Sequence, residues 1–185
     1  MIIPILATVI RVLMLVEYLY LRRYQVRPAK NWDQGSAKVW DIAAVIELAG
    51  MVLGFAGIGR INTSTNIIGM LGLLLLVAGI TVRWMAIRTL GQYFTGTVLI
   101  KSDHRLISSG LYKHLRHPAY TGALMAHFGL GLSFANWFTL CFSSIPYLVA
   151  AFYRMRVEEQ ALEEAFGSEY LDYSKATCRL VPGLY

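Results

Sequence analysis

An all-α integral membrane protein is the fold class this sequence predicts, and three observations predict it. Apolar residues make up 56% of the 185 residues and charged ones only 15%, with a mean hydropathy of +0.51, where a soluble domain carries about a quarter charged residues. Five apolar segments approach the ~20 residues that a spanning helix needs. The lysines and arginines gather in alternate connections between those segments, which is the charge pattern of a multi-pass chain.

The segments run roughly over residues 2–21, 40–59, 66–87, 118–133 and 137–153. The first lacks a basic leading region and a small-residue cleavage site, so it reads as a retained anchor and not a signal peptide. It contains Arg11 and Glu17, charged groups that are costly in a bilayer and face partners or cavities; six positions apart, they sit on different helix faces. Gly50, Gly54, Gly57 and Gly59 in the second segment, and Gly69, Gly72 and Gly79 in the third, allow close helix approach. The string Gly-Phe-Ala-Gly-Ile-Gly resembles a nucleotide loop in letters alone, because such a loop needs a βαβ setting. The last two segments are joined by Ser133-Phe134-Ala135-Asn136 and are expected to form a helical hairpin. One helix over 118–153 would be nearly twice a normal span.

Charge orients the chain. The first connection carries Arg22, Arg23, Arg27, Lys30 and Lys38; the third carries Arg83, Arg88, Lys101, Arg105, Lys113 and Arg116; the C-terminal segment carries Arg154, Arg156, Lys175 and Arg179. Only Arg60 falls in the second connection, and none in the hairpin tip. Five spans, with the N-terminus outside and the C-terminus cytoplasmic, satisfy every loop. The net charge of +6 therefore reports topology, and a nucleic-acid partner is not expected. Two separated cysteines and four scattered histidines give neither a disulfide framework nor a metal centre.

Polar chemistry concentrates in Ser109-Gly-Leu-Tyr112-Lys-His-Leu-Arg116-His117-Pro118-Ala-Tyr120-Thr-Gly122. Proline at the first helical position suits the opening of the fourth span, and the free N–H groups of a helix start favour an anion. The tail from Arg154 to Phe166 is rich in helix formers and ends at Gly167, a helix stop. It continues the fifth span out of the membrane and brings Arg154 and Glu158, four apart and on one face, to the depth of Arg116 and His117. Cations and a helix start for a carboxylate, a glutamate for an amine or ribose, and the rings of Tyr112 and Tyr120 for a base or onium group are the needs of S-adenosylmethionine. An acidic lipid headgroup would use part of the same set.

The run Leu106-Ile-Ser-Ser-Gly110-Leu-Tyr112-Lys-His-Leu-Arg116-His117-Pro118-Ala-Tyr120-Thr-Gly122, followed by Arg154-x-x-x-Glu158-Glu159 and by Phe166-Gly167-Ser-Glu169-Tyr170-Leu-Asp-Tyr173, resembles the isoprenylcysteine carboxyl methyltransferase family. The resemblance extends over about 91–185. It implies a single membrane domain over 1–185, with a cofactor region at 91–122 plus 154–185 in which the cytoplasmic C-terminal helix completes the pocket. It implies contacts to S-adenosylmethionine, or to the product S-adenosylhomocysteine, from Thr97, His104, Arg105, Leu106, Ile107, Tyr112, His117, Pro118, Ala119, Tyr120 and Glu158, and contact to the acceptor from Arg154. Glu163, Glu169 and Tyr170 are read as bracing the tail, and His114 and His127 receive no role.

The implied reaction is direct methyl transfer to the C-terminal carboxylate of a prenylated cysteine, the lipophilic acceptor reaching the site laterally from the bilayer. The Arg-His-Pro-x-Tyr element and the Glu-Glu pair also recur in membrane methyltransferases of phospholipid amines, so the block specifies the methyl donor better than the acceptor. A non-catalytic lipid-binding or scaffold protein is the third reading.

Overall fold

The computed structural model describes residues 2–23, 34–61, 65–95, 98, 100 and 104–181, and among these all regular structure is helical. Six α-helices follow one another: α1 Ile2–Arg23, α2 Ser36–Phe55, α3 Thr65–Leu90, α4 Pro118–Ser133, α5 Trp137–Phe166 and α6 Ser168–Ala176. Short 3-10 turns occupy Gly91–Tyr93 and Gly110–Lys113.

Helices α1, α3 and α5 are long and apolar enough to cross a membrane. The other two apolar segments differ. α2 carries Lys38, Asp41 and Glu47, and α4 has only 16 residues. Leu13, Val45, Leu74 and Val149 stand outward at 58–69% exposure, the opposite of a soluble surface and suited to lipid.

The bundle is built around α4. It packs most extensively on α3 and also on α5, α2 lies along α5, and α1 leans on α3 and α4. Glycine makes the α3–α4 seam possible. A Cβ added to Gly79 would stand 2.5 Å from the Ala126 backbone nitrogen, and one added to Gly122 would stand 2.5 Å from that of Arg83, so both helices must lack side chains there. In α2, Gly50 and Gly54 lie against Phe142 and Thr139 of α5 in the same way. Gly57 and Gly59 do not belong to a span: α2 ends at Phe55, and these two take φ of 75° and 82° in the following turn, a conformation that favours glycine. Ala7, Met51, Leu76, Ala126, Leu130 and Phe134 close the centre of the bundle.

The α4–α5 hairpin has the predicted boundaries at its tip. Asn136 caps α5, its side-chain oxygen accepting from Thr139 N at 3.1 Å, while its amide donates to Ile58 O at 2.7 Å. The tip thus ties to the turn after α2. At its far end α5 runs on to Phe166 and stops at Gly167, φ 54°, after which α6 folds back. Residues 177–181 then form a strap across the approach to α4: Cys178 N donates to His114 O at 3.0 Å, Arg116 N to Cys178 O at 2.8 Å and His117 N to Arg179 O at 3.2 Å. The N–H groups of Arg116 and His117, just ahead of the helix start, are thus satisfied by peptide carbonyls.

Candidate active site

The helix arrangement brings six pieces of chain to one cleft: the end of α1, the start of α2, the end of α3 with the segment after it, the start of α4, the extension of α5, and α6 through Tyr170 and Tyr173. The cleft is open to the outside on one side, and its lining mixes aromatic rings with charged side chains.

Most residues singled out in the sequence meet there. His104, Arg105, Leu106, Ile107, Tyr112, His117, Ala119, Tyr120, Arg154 and Glu158 all line the cleft. Pro118 does not; it is fully buried as the first residue of α4. Thr97 lies outside the described residues. His104 sits between the rings of Tyr93 and Phe166, at centroid distances of 4.9 and 5.8 Å. Ile107 packs with Tyr112, Ala119 and Ala86 in an apolar wall, the kind of surface on which a purine ring lies.

Glu158 and Glu159 have different fates. Successive residues of a helix point about 100° apart, so only one of them can face the cleft, and that one is Glu158. Its side chain is 31% exposed, and its Oε2 stands 3.7 Å from His117 Nδ1. Tyr120 brings its phenol within hydrogen-bonding reach of both Glu158 and Arg154. Glu159 turns the other way into a knot of cations. Its Oε1 lies 3.0 Å from His117 Nε2, 3.3 Å from Arg116 Nη1 and 2.9 Å from Arg179 Nε, and its Oε2 pairs with Arg179 Nη2. His117 therefore stands between the two carboxylates, one on the cleft and one behind it.

Arg154 is 5% exposed and donates from Nη1 to Ser36 Oγ at 3.4 Å. Four positions along α2, on the same face, Trp40 also lines the cleft. Arg83 also lines the cleft, as do Arg105 and Arg116. Its Cζ stands 5.9 Å from the Phe94 ring centroid, and it lies within electrostatic reach of Arg154, Glu17, Tyr112 and Tyr120. Burial pushes the Tyr112 phenol upward, so it remains protonated and uncharged at neutral pH. The Tyr173 phenol, pushed up to about 12 by burial, donates to Tyr112 O at 2.9 Å and holds the second 3-10 turn against α6.

The isoprenylcysteine carboxyl methyltransferase (ICMT) family model matches residues 70–164, half of the chain. The chain belongs to that family. It is 39% identical over 108 residues to a protein-S-isoprenylcysteine O-methyltransferase of Homo sapiens, across 56% of this chain and 37% of that protein. To the protein of the same name from Saccharomyces cerevisiae it is 35% identical over 116 residues, across 60% of this chain and 48% of that one. The solved structure of the eukaryotic intramembrane Ras methyltransferase ICMT superposes with a TM-score of 0.63 at 25% identity, over 78% of this chain and 52% of that one. The chain thus spans between about a third and a half of the length of these relatives. The matched region of the ICMT family model takes in α4, the Arg154–Glu158 face and Arg83, but not the strap.

Several cleft residues carry little local signal of their place. Tyr18, Trp40 and Arg83 are scattered over three helices and share no local motif. Arg83 is inside α3 and not in the connection after it. A charge within an apolar segment was the available signal for Arg83; for Tyr18 and Trp40 only the aromatic belt at a membrane interface pointed there.

Proposed function

We propose that this protein is an S-adenosylmethionine-dependent methyltransferase that forms a methyl ester on the C-terminal carboxylate of an isoprenylated cysteine. The observation that carries the reading is the pair of guanidiniums, Arg83 and Arg154, in one cleft wall beside Glu158 and Tyr120. Two such cations repel each other, and an anionic acceptor relieves that repulsion. A protonated lipid amine would add to it, which favours the carboxylate acceptor over the phospholipid-amine reading.

The residues fit the cofactor's groups. Glu158 can receive a ribose hydroxyl or the ammonium, Arg116 and His104 stand where its carboxylate can pair, and the Ile107–Tyr112–Ala119 wall offers an apolar face to the adenine. In this reading His104, Arg105, Leu106, Ile107, Tyr112, His117, Ala119, Tyr120 and Glu158 form the cofactor half of the site, with Thr97 and Pro118 assigned to it by family pattern. When bound, S-adenosylmethionine supplies an electrophilic methyl: the acceptor oxygen–methyl bond forms as the methyl–sulfur bond breaks, the electron pair staying on the sulfur of S-adenosylhomocysteine.

The chain's part is to bind and orient. A carboxylate is already ionised at neutral pH, so no general base is needed. The planar fork of Arg154 matches the carboxylate in two-point fashion, and its bond to Ser36 keeps the fork aligned. Burial of Arg154 keeps water from the attacking oxygen. The topology of the proposal has five spans, α2 and α4 crossing with α1, α3 and α5, the N-terminus outside and the cleft cytoplasmic, so that a prenyl chain reaches it sideways from the bilayer.

The test is transfer of labelled methyl to N-acetyl-S-farnesylcysteine, followed by release of methanol in base. Base-labile label is the expected result; label in a base-stable product would reject the carboxylate assignment, and absence of S-adenosylhomocysteine binding by calorimetry would reject the methyltransferase class.

A further inference from the structure

Inside the bundle, away from the cleft, four polar side chains from four helices are joined together. Arg11 of α1 donates from Nε to Glu47 Oε2 of α2 at 2.7 Å and from Nη2 to the Tyr147 hydroxyl of α5 at 2.6 Å, while His127 Nδ1 of α4 lies 2.6 Å from Glu47 Oε1. Glu47, His127 and Tyr147 are each less than 5% exposed. The reaction proposed above uses none of them.

From this knot a column of rings leads to the cleft. Tyr147 stacks on His127 with centroids 3.4 Å apart and planes 16° from parallel. Its other neighbour is the Trp40 indole, edge-on at 5.1 Å and 66°. Trp40 lies 6.1 Å from Tyr120, and Tyr120 lies 5.6 Å from His117. The foot of the column is fixed by Glu47 and Arg11, and its head by Glu159 through His117. Trp40 is the middle member, and its indole Nε1 is buried with no hydrogen-bond acceptor among the described residues. No polar bond anchors the indole, so its place on the cleft wall depends on ring contacts, Tyr147 foremost. Trp40 also shares its face of α2 with Ser36, the partner of Arg154.

We infer that Tyr147 is a positioning residue for the acceptor half of the site, holding Trp40 and through it Tyr120 in line beside Arg154. The inference rests on the carboxylate-acceptor reading and adds to it a residue that touches neither substrate nor cofactor. Close aromatic packing gives a wall that neither collapses when the lipophilic acceptor leaves nor shifts when it arrives.

The experiment compares wild type, Tyr147→Leu and Tyr147→Phe in ester formation on N-acetyl-S-farnesylcysteine, with S-adenosylhomocysteine affinity measured alongside. Tyr147→Leu is expected to raise the acceptor KM about tenfold while S-adenosylhomocysteine affinity stays within twofold. Tyr147→Phe keeps the ring and loses the hydroxyl with its bond from Arg11, so it is expected to restore KM to within about twofold of wild type. An unchanged acceptor KM in Tyr147→Leu overturns the inference, as does an equal loss of cofactor-product affinity, which would mark general destabilisation. Failure of Tyr147→Phe to rescue would assign the effect to the hydroxyl and overturn the ring column. Ester formation absent from the wild type itself would reject the underlying acceptor reading, and this inference with it.

Discussion

Two carboxylates tie this chain together, Glu47 inside the bundle and Glu159 at the edge of the cleft. Each accepts from a histidine and an arginine, His127 and Arg11 in one case, His117 and Arg179 in the other. Glu47 is 3% exposed at its side chain and Glu159 is 12%. The first joins the helices α1, α2 and α4, with α5 drawn in through Tyr147. The second joins α5 to the strap and to the start of α4, segments that would otherwise meet water. What differs is the alternative open to each group once its partner is lost. Near Glu159 water can replace a missing bond, whereas around Glu47 nothing can. One knot therefore supports the fold and the other supports the site.

The largest effect follows for Glu47→Ala, which strands Arg11 and His127 in an apolar interior. Breaking a buried pair costs about 3–5 kcal/mol, and the expected outcome in detergent is loss of most folded protein, read by size-exclusion yield and thermal unfolding. Replacing both charges, Arg11→Met with Glu47→Leu, is expected to recover much of that loss; equal damage from the single and double variants would mean that the pair matters for reasons other than stranded charge.

Glu158→Ala is expected to leave the unfolding temperature nearly unchanged and to weaken S-adenosylhomocysteine by about tenfold or more, the worth of one hydrogen bond to a charged group. Arg154→Ala is expected to keep that affinity and lose turnover. Calorimetry on both variants checks the division, and wild-type affinity in Glu158→Ala would place the cofactor elsewhere in the cleft. For Glu159→Gln the expected loss is about 1–3 kcal/mol, or roughly 2–4 °C per kcal/mol for a chain of this size. It should be accompanied by faster hydrogen exchange at 177–181, with exchange in α1 and α2 unaltered. Exchange rising throughout the bundle would erase the contrast between the two knots.

The smallest effect concerns pH. The Tyr173 phenol is held protonated by burial, so its hydrogen bond to Tyr112 O contributes fully below the unfolded tyrosine value near ~10. That contribution is lost as pH rises through the folded value of about 12. Wild type is expected to exceed Tyr173→Phe by about 1 kcal/mol at pH 7 to 9, the margin narrowing above pH 10 in denaturation measured across that range.

Much of this architecture can be read from local chemistry. Pro118 and Asn136 bound α4 and open α5 because each acts on its own turn, and Gly167 ends α5 for the same reason. Likewise, Glu158 and Arg154 can be assigned to one face, since helical spacing needs no knowledge of the fold. The pairing of Arg11 was not legible. Its nearest acid in sequence is Glu17, but its partner is Glu47, 36 positions away, and only packing of α1 beside α2 decides between them. His127 received no role for the same reason. Trp40 belongs to no local motif. Its place on the cleft wall depends on how α2 lies along α5, where Gly50 and Gly54 permit the close approach.

The strap adds a matter of timing. Thr121, one turn into α4, donates to Leu180 O across 59 positions of chain, and Arg116 and His117 wait on Cys178 and Arg179. During synthesis all the spans can be in place while the start of α4 still lacks these partners. The opening of α4, and with it one side of the cleft, is thus completed only once residues 177–181 have been made, later in the chain than every helix of the bundle.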